Sequence, residues 1–152
     1  MRRAEQLLEE VLDEFPDHIG ALNDLSYLWS DQNKHLNRAL RMAQVACAGD
    51  PDHAAYRDSL GWALYRLERY EEAVAELKKA ASADDEPDGV ILDHLGDAYE
   101  KMGRTEEALD QWKRAVTAFE KSGEEKFLAK TRKKINNVDS STAEEDPVAA
   151  EQ

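Results

Sequence analysis

One cysteine, seven glycines and four prolines are all that 152 residues hold of the types that staple or interrupt a chain. The lone Cys47 excludes an internal disulfide. Its small neighbours in AQVACAGDP make it a buried hydrophobe rather than a reactive thiol. That usage fits a reducing compartment. No run of about 18 apolar residues occurs, which excludes a membrane-spanning helix. The opening MRRAEQLLEEVLDEF places Glu5, Glu9 and Glu10 where an export leader has an unbroken apolar core. As written, the sequence reads as cytoplasmic; as a fragment of a longer protein it would fit a periplasmic or envelope-associated location. Positive charge is also scarce: 20 basic against 33 acidic residues give a net charge of −13. Such a surface repels phosphate backbones and anionic lipid, so nucleic acid and membrane insertion are excluded and a basic or amphipathic polypeptide is favoured as partner.

Catalytic motifs are missing too. The sequence has no P-loop, glycine-rich dinucleotide turn, H-E-x-x-H or nucleophile elbow. His18, His35, His53 and His94 are scattered. His94 with Asp93 and Asp97 comes nearest to a metal site, and reads as a solvated helix face. Neither an enzyme nor a cofactor or metal is expected.

What is present is helical periodicity. Leu7, Leu8, Val11 and Leu12, then Leu22, Leu25 and Leu28, then Val74, Leu77 and Ala81 recur at three- and four-residue spacing, and no segment alternates as a strand would. Breaks at Pro16, Asn33, Pro51, Glu68, Pro87, Gly103 and Gly123 mark eight helices, roughly 2–15, 18–31, 36–48, 53–67, 70–83, 88–102, 105–121 and 124–136.

These breaks have a rhythm. DSLGWALYRLERYEEA at 58–73 returns as DHLGDAYEKMGRTEEA at 93–108; Pro16 and Pro51, Leu25 and Leu60, and Leu60 and Leu95 are each 35 residues apart. Two helices per period of about 34 residues is the mark of stacked hairpins whose apolar faces are too wide to be buried alone. Gly61, Gly96, Ala63 and Ala98 are small where hairpin helices must approach, and Ala73, Ala80, Ala108 and Ala115 answer them on the second helix. Leu77 and Trp112 are the matching large residues.

The sequence therefore resembles the tetratricopeptide repeat family. The pattern appears as Leu60, Gly61, Leu64, Ala73, Leu77 and Ala80, and again as Leu95, Gly96, Tyr99, Ala108, Trp112 and Ala115. A looser unit reads Leu25, Ser26, Trp29, Ala39, Ala43, Ala46 and Pro51, and Ala4, Leu8, Val11 and Pro16 supply half of another. Residues 21–67 resemble the C-terminal block of long bacterial members. Glu68 departs from the pattern, standing where the family prefers the turn glycine found at Gly103, and should strain its turn or shorten the helix before it.

The resemblance implies an all-α, right-handed superhelical solenoid of antiparallel hairpins in one domain over 1–136. It would comprise a half repeat at 1–16, repeats near 17–51, 52–87 and 88–121, and a capping helix at 124–136. On that cap, Phe127, Leu128, Thr131 and Ile135 share one side, with Lys130, Arg132, Lys133 and Lys134 elsewhere. Residues 137–152 are acidic and expected to be disordered.

The resemblance also implies a concave peptide groove lined by first helices: Asn23, Tyr27, Ser30 and Asp31, then Asp58, Trp62, Tyr65 and Arg66, then Asp93, Asp97, Glu100 and Lys101. The expected function is a non-enzymatic scaffold gripping a basic or amphipathic segment in this acidic, aromatic groove. Trp62 and Tyr65 serve equally well as ligand platforms or as filling between hairpins. The alternative is self-association, a homodimer through the uncovered stripe of residues 2–15.

Overall fold

The computed structural model describes residues 2–144, all of whose regular elements are helices: α1 (Arg2–Glu14), α2 (Ile19–Asp31), α3 (Leu36–Gly49), α4 (Ala54–Arg66), α5 (Tyr70–Ser82), α6 (Gly89–Lys101), α7 (Thr105–Ser122) and α8 (Glu125–Glu144). Local chemistry starts and stops them where the sequence indicates. The His18 side chain accepts the Ala21 amide at 3.1 Å ahead of α2, and Asp88 accepts the Val90 amide at 2.8 Å ahead of α6.

The hairpin turns repeat one geometry. Asn33, Glu68 and Gly103, 35 residues apart, adopt left-handed backbone with φ of 55°, 61° and 73°. The next amide then reaches back over the helix end: Lys34 to the Trp29 carbonyl at 2.8 Å, Arg69 to Leu64 at 2.9 Å and Arg104 to Tyr99 at 3.0 Å. Glu68 does not shorten its helix, since α4 ends at Arg66 in the register at which α6 ends at Lys101. Its cost lies in the backbone angle, which a side chain disfavours.

The described residues form two compact units divided at Pro87 and Asp88. The division falls in the acidic segment 83–88 between α5 and α6. In the first unit α2 pairs with α3 and α4 with α5, while α4 also packs on α2 and α3, and α1 lies on α2. Leu25, Trp29 and Ala39 form a core that Leu8, Leu12 and Met42 join. Ser26 closes the α2/α3 hairpin by donating to the Ala39 carbonyl at 2.7 Å. A Cβ on Gly61 would fall 2.6 Å from Leu77 Cγ, so the small residue sets the approach of α4 to α5. Cys47 is buried, and burial pushes its thiol pKa up.

The second unit repeats the device more tightly. A Cβ on Gly96 would fall 2.4 Å from Trp112 Cδ1, where α6 meets α7. Phe119 at the end of α7 stacks on Phe127 of α8 with ring centres 5.4 Å apart.

Helix α8 corrects the expectation for the C-terminal segment. It continues through 137–144 rather than ending at 136. Val138 extends its half-buried side beyond Leu128, Thr131 and Ile135. Ser140 and Thr142 hydroxyls donate to the carbonyls of Asn136 and Val138 one turn back, at 2.9 and 3.3 Å, so small polar residues stay within the helix. The rest of the expected tail, 145–152, lies outside the described residues.

Candidate functional site

The residues expected to line a groove occupy the same register on each first helix. In α2, Asn23 and Ser30 are buried, Tyr27 is half-buried and Asp31 is exposed. The Asn23 amide donates to Asp24 Oδ1 at 3.2 Å, while Asn23 Oδ1 and Ser30 Oγ have no hydrogen-bond partner among the described residues. Asn23 and Ser30 are therefore covered, and Tyr27 and Asp31 remain reachable.

In α4 the expected residues come together. Trp62 and Tyr65 stack nearly parallel, 4.7 Å between ring centres and 5° between planes, and the Arg66 guanidinium sits 4.9 Å from the Trp62 ring. Arg66 Nη2 also donates to the Asp31 carbonyl of α2 at 3.0 Å. Tyr65 meets the edge of Tyr70, 5.5 Å away. Only 6% of Trp62 is exposed, so its ring is taken up by its own chain, whereas Tyr65 is half-buried. Asp58 is buried.

Helix α6, in the second unit, departs most from expectation. Asp93 and Asp97 are not an open acidic surface. Lys134 of α8 places its ammonium 2.9 Å from both oxygens of Asp93 and 2.8 and 3.0 Å from those of Asp97. The Thr131 hydroxyl donates to Asp93 at 3.0 Å, and Trp112 Nε1 donates to Asp97 at 3.1 Å. The solvated face expected around His94 is likewise corrected: His94 and Asp97 are buried and Asp93 is half-buried, and both carboxylates are engaged by Lys134 of α8. Among the described residues no group of three or more metal-capable side chains converges. Glu100 and Lys101 are exposed.

Burial and the nearby charge of Asp93 hold the Asp97 carboxyl above the usual carboxylate range, against the pull of Lys134. Burial works to lower the Lys134 pKa, but Asp97 and Asp93 outweigh it and hold it above the ordinary lysine value.

Two participants escaped the sequence reading. Lys134 was placed off the apolar side of the cap, yet it follows Thr131 by three and precedes Val138 by four, the spacing of the inward face. Glu5 was read only as an interruption of a leader. It accepts Trp29 Nε1 at 2.8 Å and Lys34 Nζ at 2.6 Å, tying α1 to α2. Those donors, Lys34 foremost, lower its pKa.

Two family models described as tetratricopeptide repeat match this sequence, one over residues 32–87 and one over 92–122. No match was found among the curated proteins. Among solved structures, MamA MSR-1 is 28% identical, with 80% of this chain and 68% of that chain covered and a TM-score of 0.62. The translocator chaperone SycD of Yersinia enterocolitica type III secretion, in an alternative dimer, is 16% identical over 83% of this chain and 95% of that one, with a TM-score of 0.73. A T3SS complex from Aeromonas hydrophila is 17% identical over 84% of each chain, with the same TM-score. No helix among the described residues is long and apolar enough to cross a membrane.

Proposed function

The chain belongs to the tetratricopeptide repeat family and is a protein–protein interaction module; on that premise we propose that it is a non-enzymatic scaffold whose α2 and α4 bind a basic or amphipathic polypeptide segment. The observation that carries this reading is the seat of Lys134. A first-helix face of this fold accommodates an amphipathic helix by placing its lysine between two carboxylates and its threonine against one of them. In α6 that place is filled by α8, so Asp93 and Asp97 anchor the cap and leave the list of free contacts.

In the first unit the reachable part is Tyr27, Asp31 and Tyr65. Tyr65 is held flat by Trp62, and Asp31 stands beside the Arg66 that crosses from α4 to α2. A half-buried aromatic held by its neighbour, with an exposed carboxylate on the adjacent first helix, suits a lysine or arginine on an apolar stem, since little ordering entropy remains to be lost on binding. The net charge of −13 favours the same class of segment.

A peptide with the sequence of residues 124–138 is a fitting probe, read by fluorescence anisotropy. Tyr65→Ala and Asp31→Lys should each weaken its binding by about tenfold, as expected for loss of one central contact, with the helical circular dichroism unchanged. Binding that neither substitution weakens would remove this face from the proposal.

A further inference from the structure

Helix α8 stands in the register of a first hairpin helix. Lys130 follows Leu25, Leu60 and Leu95 at steps of 35 residues, and those three leucines are buried. Lys130 is exposed, as are Lys126 four residues before it and Lys133 three after. At 3.6 residues per turn the three lie within about 60° of arc, in a row about 10 Å long on one side of the helix. The second helices α3, α5 and α7 turn buried alanine, leucine and tryptophan toward their hairpins. A helix of that kind laid on this side of α8 would bury Lys130 with no counter-charge, so the row is not the seat of an ordinary hairpin partner.

Nothing within α8 offsets the charge of this row. No acidic residue stands three or four positions from any of the three lysines, and they stand at those spacings from one another, where like charges oppose helix formation. By contrast Arg69, Lys79 and Arg104 each pair with a glutamate three residues away, and Arg132, on another side of α8, pairs with Glu120 of α7. Lys126, Lys130 and Lys133 make no ion pair or side-chain hydrogen bond among the described residues. Because α8 runs on to Glu144, the row also lies in its first half, away from the last turn where the helix dipole favours cations. Beside the row, Phe127 stacks on Phe119 of α7 and is still 43% exposed.

Unpaired cations with an aromatic at their edge, on a protein of net charge −13, complement a short anionic surface. We propose that the Lys126, Lys130 and Lys133 row of α8 binds an acidic amphipathic helix of a partner protein, whose carboxylates face the lysines and whose apolar side covers Phe127. A helix repeats its own side chains at the same three- and four-residue steps, so carboxylates spaced in that way meet all three lysines at once. An extended polyanion fits less well. Nucleic acid or an anionic bilayer would also meet the exposed Glu124 and Glu125 just ahead of the row, and the acidic remainder of the protein. This surface is separate from the α2 and α4 face and opposite to it in charge.

Fluorescence anisotropy with the full chain tests this, using a labelled alanine-based helical peptide that carries glutamates at i, i+3, i+4 and i+7 and a leucine beside them. That spacing matches the row in either direction. The unaltered protein should bind the peptide, and Lys130→Glu should weaken binding by about tenfold with helical circular dichroism unchanged. Lys78→Glu makes the same charge change on an exposed lysine of α5 and should alter binding by less than about twofold, because salt screens distant charges. Tyr65→Ala should leave binding of this peptide untouched, which separates the row from the face that takes a basic segment. No binding of the peptide, equal weakening by Lys130→Glu and Lys78→Glu, or tighter binding of a thymidine oligonucleotide or of phosphatidylserine vesicles would each overturn the proposal.

Discussion

Lys134 lies 2.8 Å from Asp97 Oδ1, although 37 residues separate the two in the chain. The contact puts a cation from α8 between two carboxylates of α6 that would otherwise repel one another in a buried setting. Lys134→Met should destabilise the second unit by about 1–3 kcal/mol. That lies below the usual loss on breaking a buried ion pair, because the lysine side chain is still 31% exposed.

The same variant carries a pH signature. The folded pKa of Asp97 is raised above its unfolded value, so the native state binds the extra proton and stability grows as pH falls through the folded pKa. With Lys134 gone, the main offset to burial and the Asp93 charge is lost, and urea denaturation should show Lys134→Met recovering part of its loss on acidification from neutrality. For the unaltered protein the Lys134 contribution is complete below the ordinary lysine pKa. It is lost as pH rises through the higher folded value, so weakening should appear only in strong alkali. A variant whose deficit stays constant with pH would contradict this account of the pair.

Gly96→Ala tests the hairpin approach. Its methyl group would fall 2.4 Å from both Cδ1 and Nε1 of Trp112, a rigid indole already held by Asp97. Overpacking of this kind should destabilise by about 2–3 kcal/mol. Gly103→Ala meets no atom within 4 Å and should lose only about 1 kcal/mol, from its φ of 73°. Equal losses at the two glycines would refute the steric explanation.

At Glu68 the opposite sign is expected. Its left-handed backbone, φ 61°, costs a side-chain-bearing residue about 1–2 kcal/mol, part of which glycine returns as lost chain entropy. Glu68→Gly should therefore stabilise by about 0.5–1 kcal/mol, seen as a higher melting temperature of the first unit. A lower melting temperature would mean that the Glu68 side chain makes a compensating contact.

Cys47 should be silent to thiol reagents in the native protein and react fully on unfolding, since it is buried and its thiol pKa is raised. Rapid labelling without denaturant would show that α3 opens readily.

Much of the fold was legible. Helix starts and stops, the hairpin period and the small residues at Gly61 and Gly96 follow from local spacing, because neighbouring turns of a helix must present matching surfaces. The candidate site was legible only as positions. The family resemblance places Tyr65 and Asp97 among the expected lining residues, but it cannot say that Trp62 is stacked between side chains of its own helix or that Asp97 already holds a lysine. Nor did composition distinguish Lys134 from Lys130 and Lys133 beside it; one step of helical phase turns the first inward and leaves the other two exposed.

By itself the sequence determined that this chain folds into repeated helical hairpins, since an apolar stripe recurring every third and fourth residue can be buried only against another helix, and a 35-residue repeat supplies that helix each time. Tertiary structure alone decided which of the acidic and aromatic side chains remain available. Occupancy depends on contacts between residues tens of positions apart, whose partners are set by how α8 lies across α6 and how α1 lies on α2, and no local pattern encodes that.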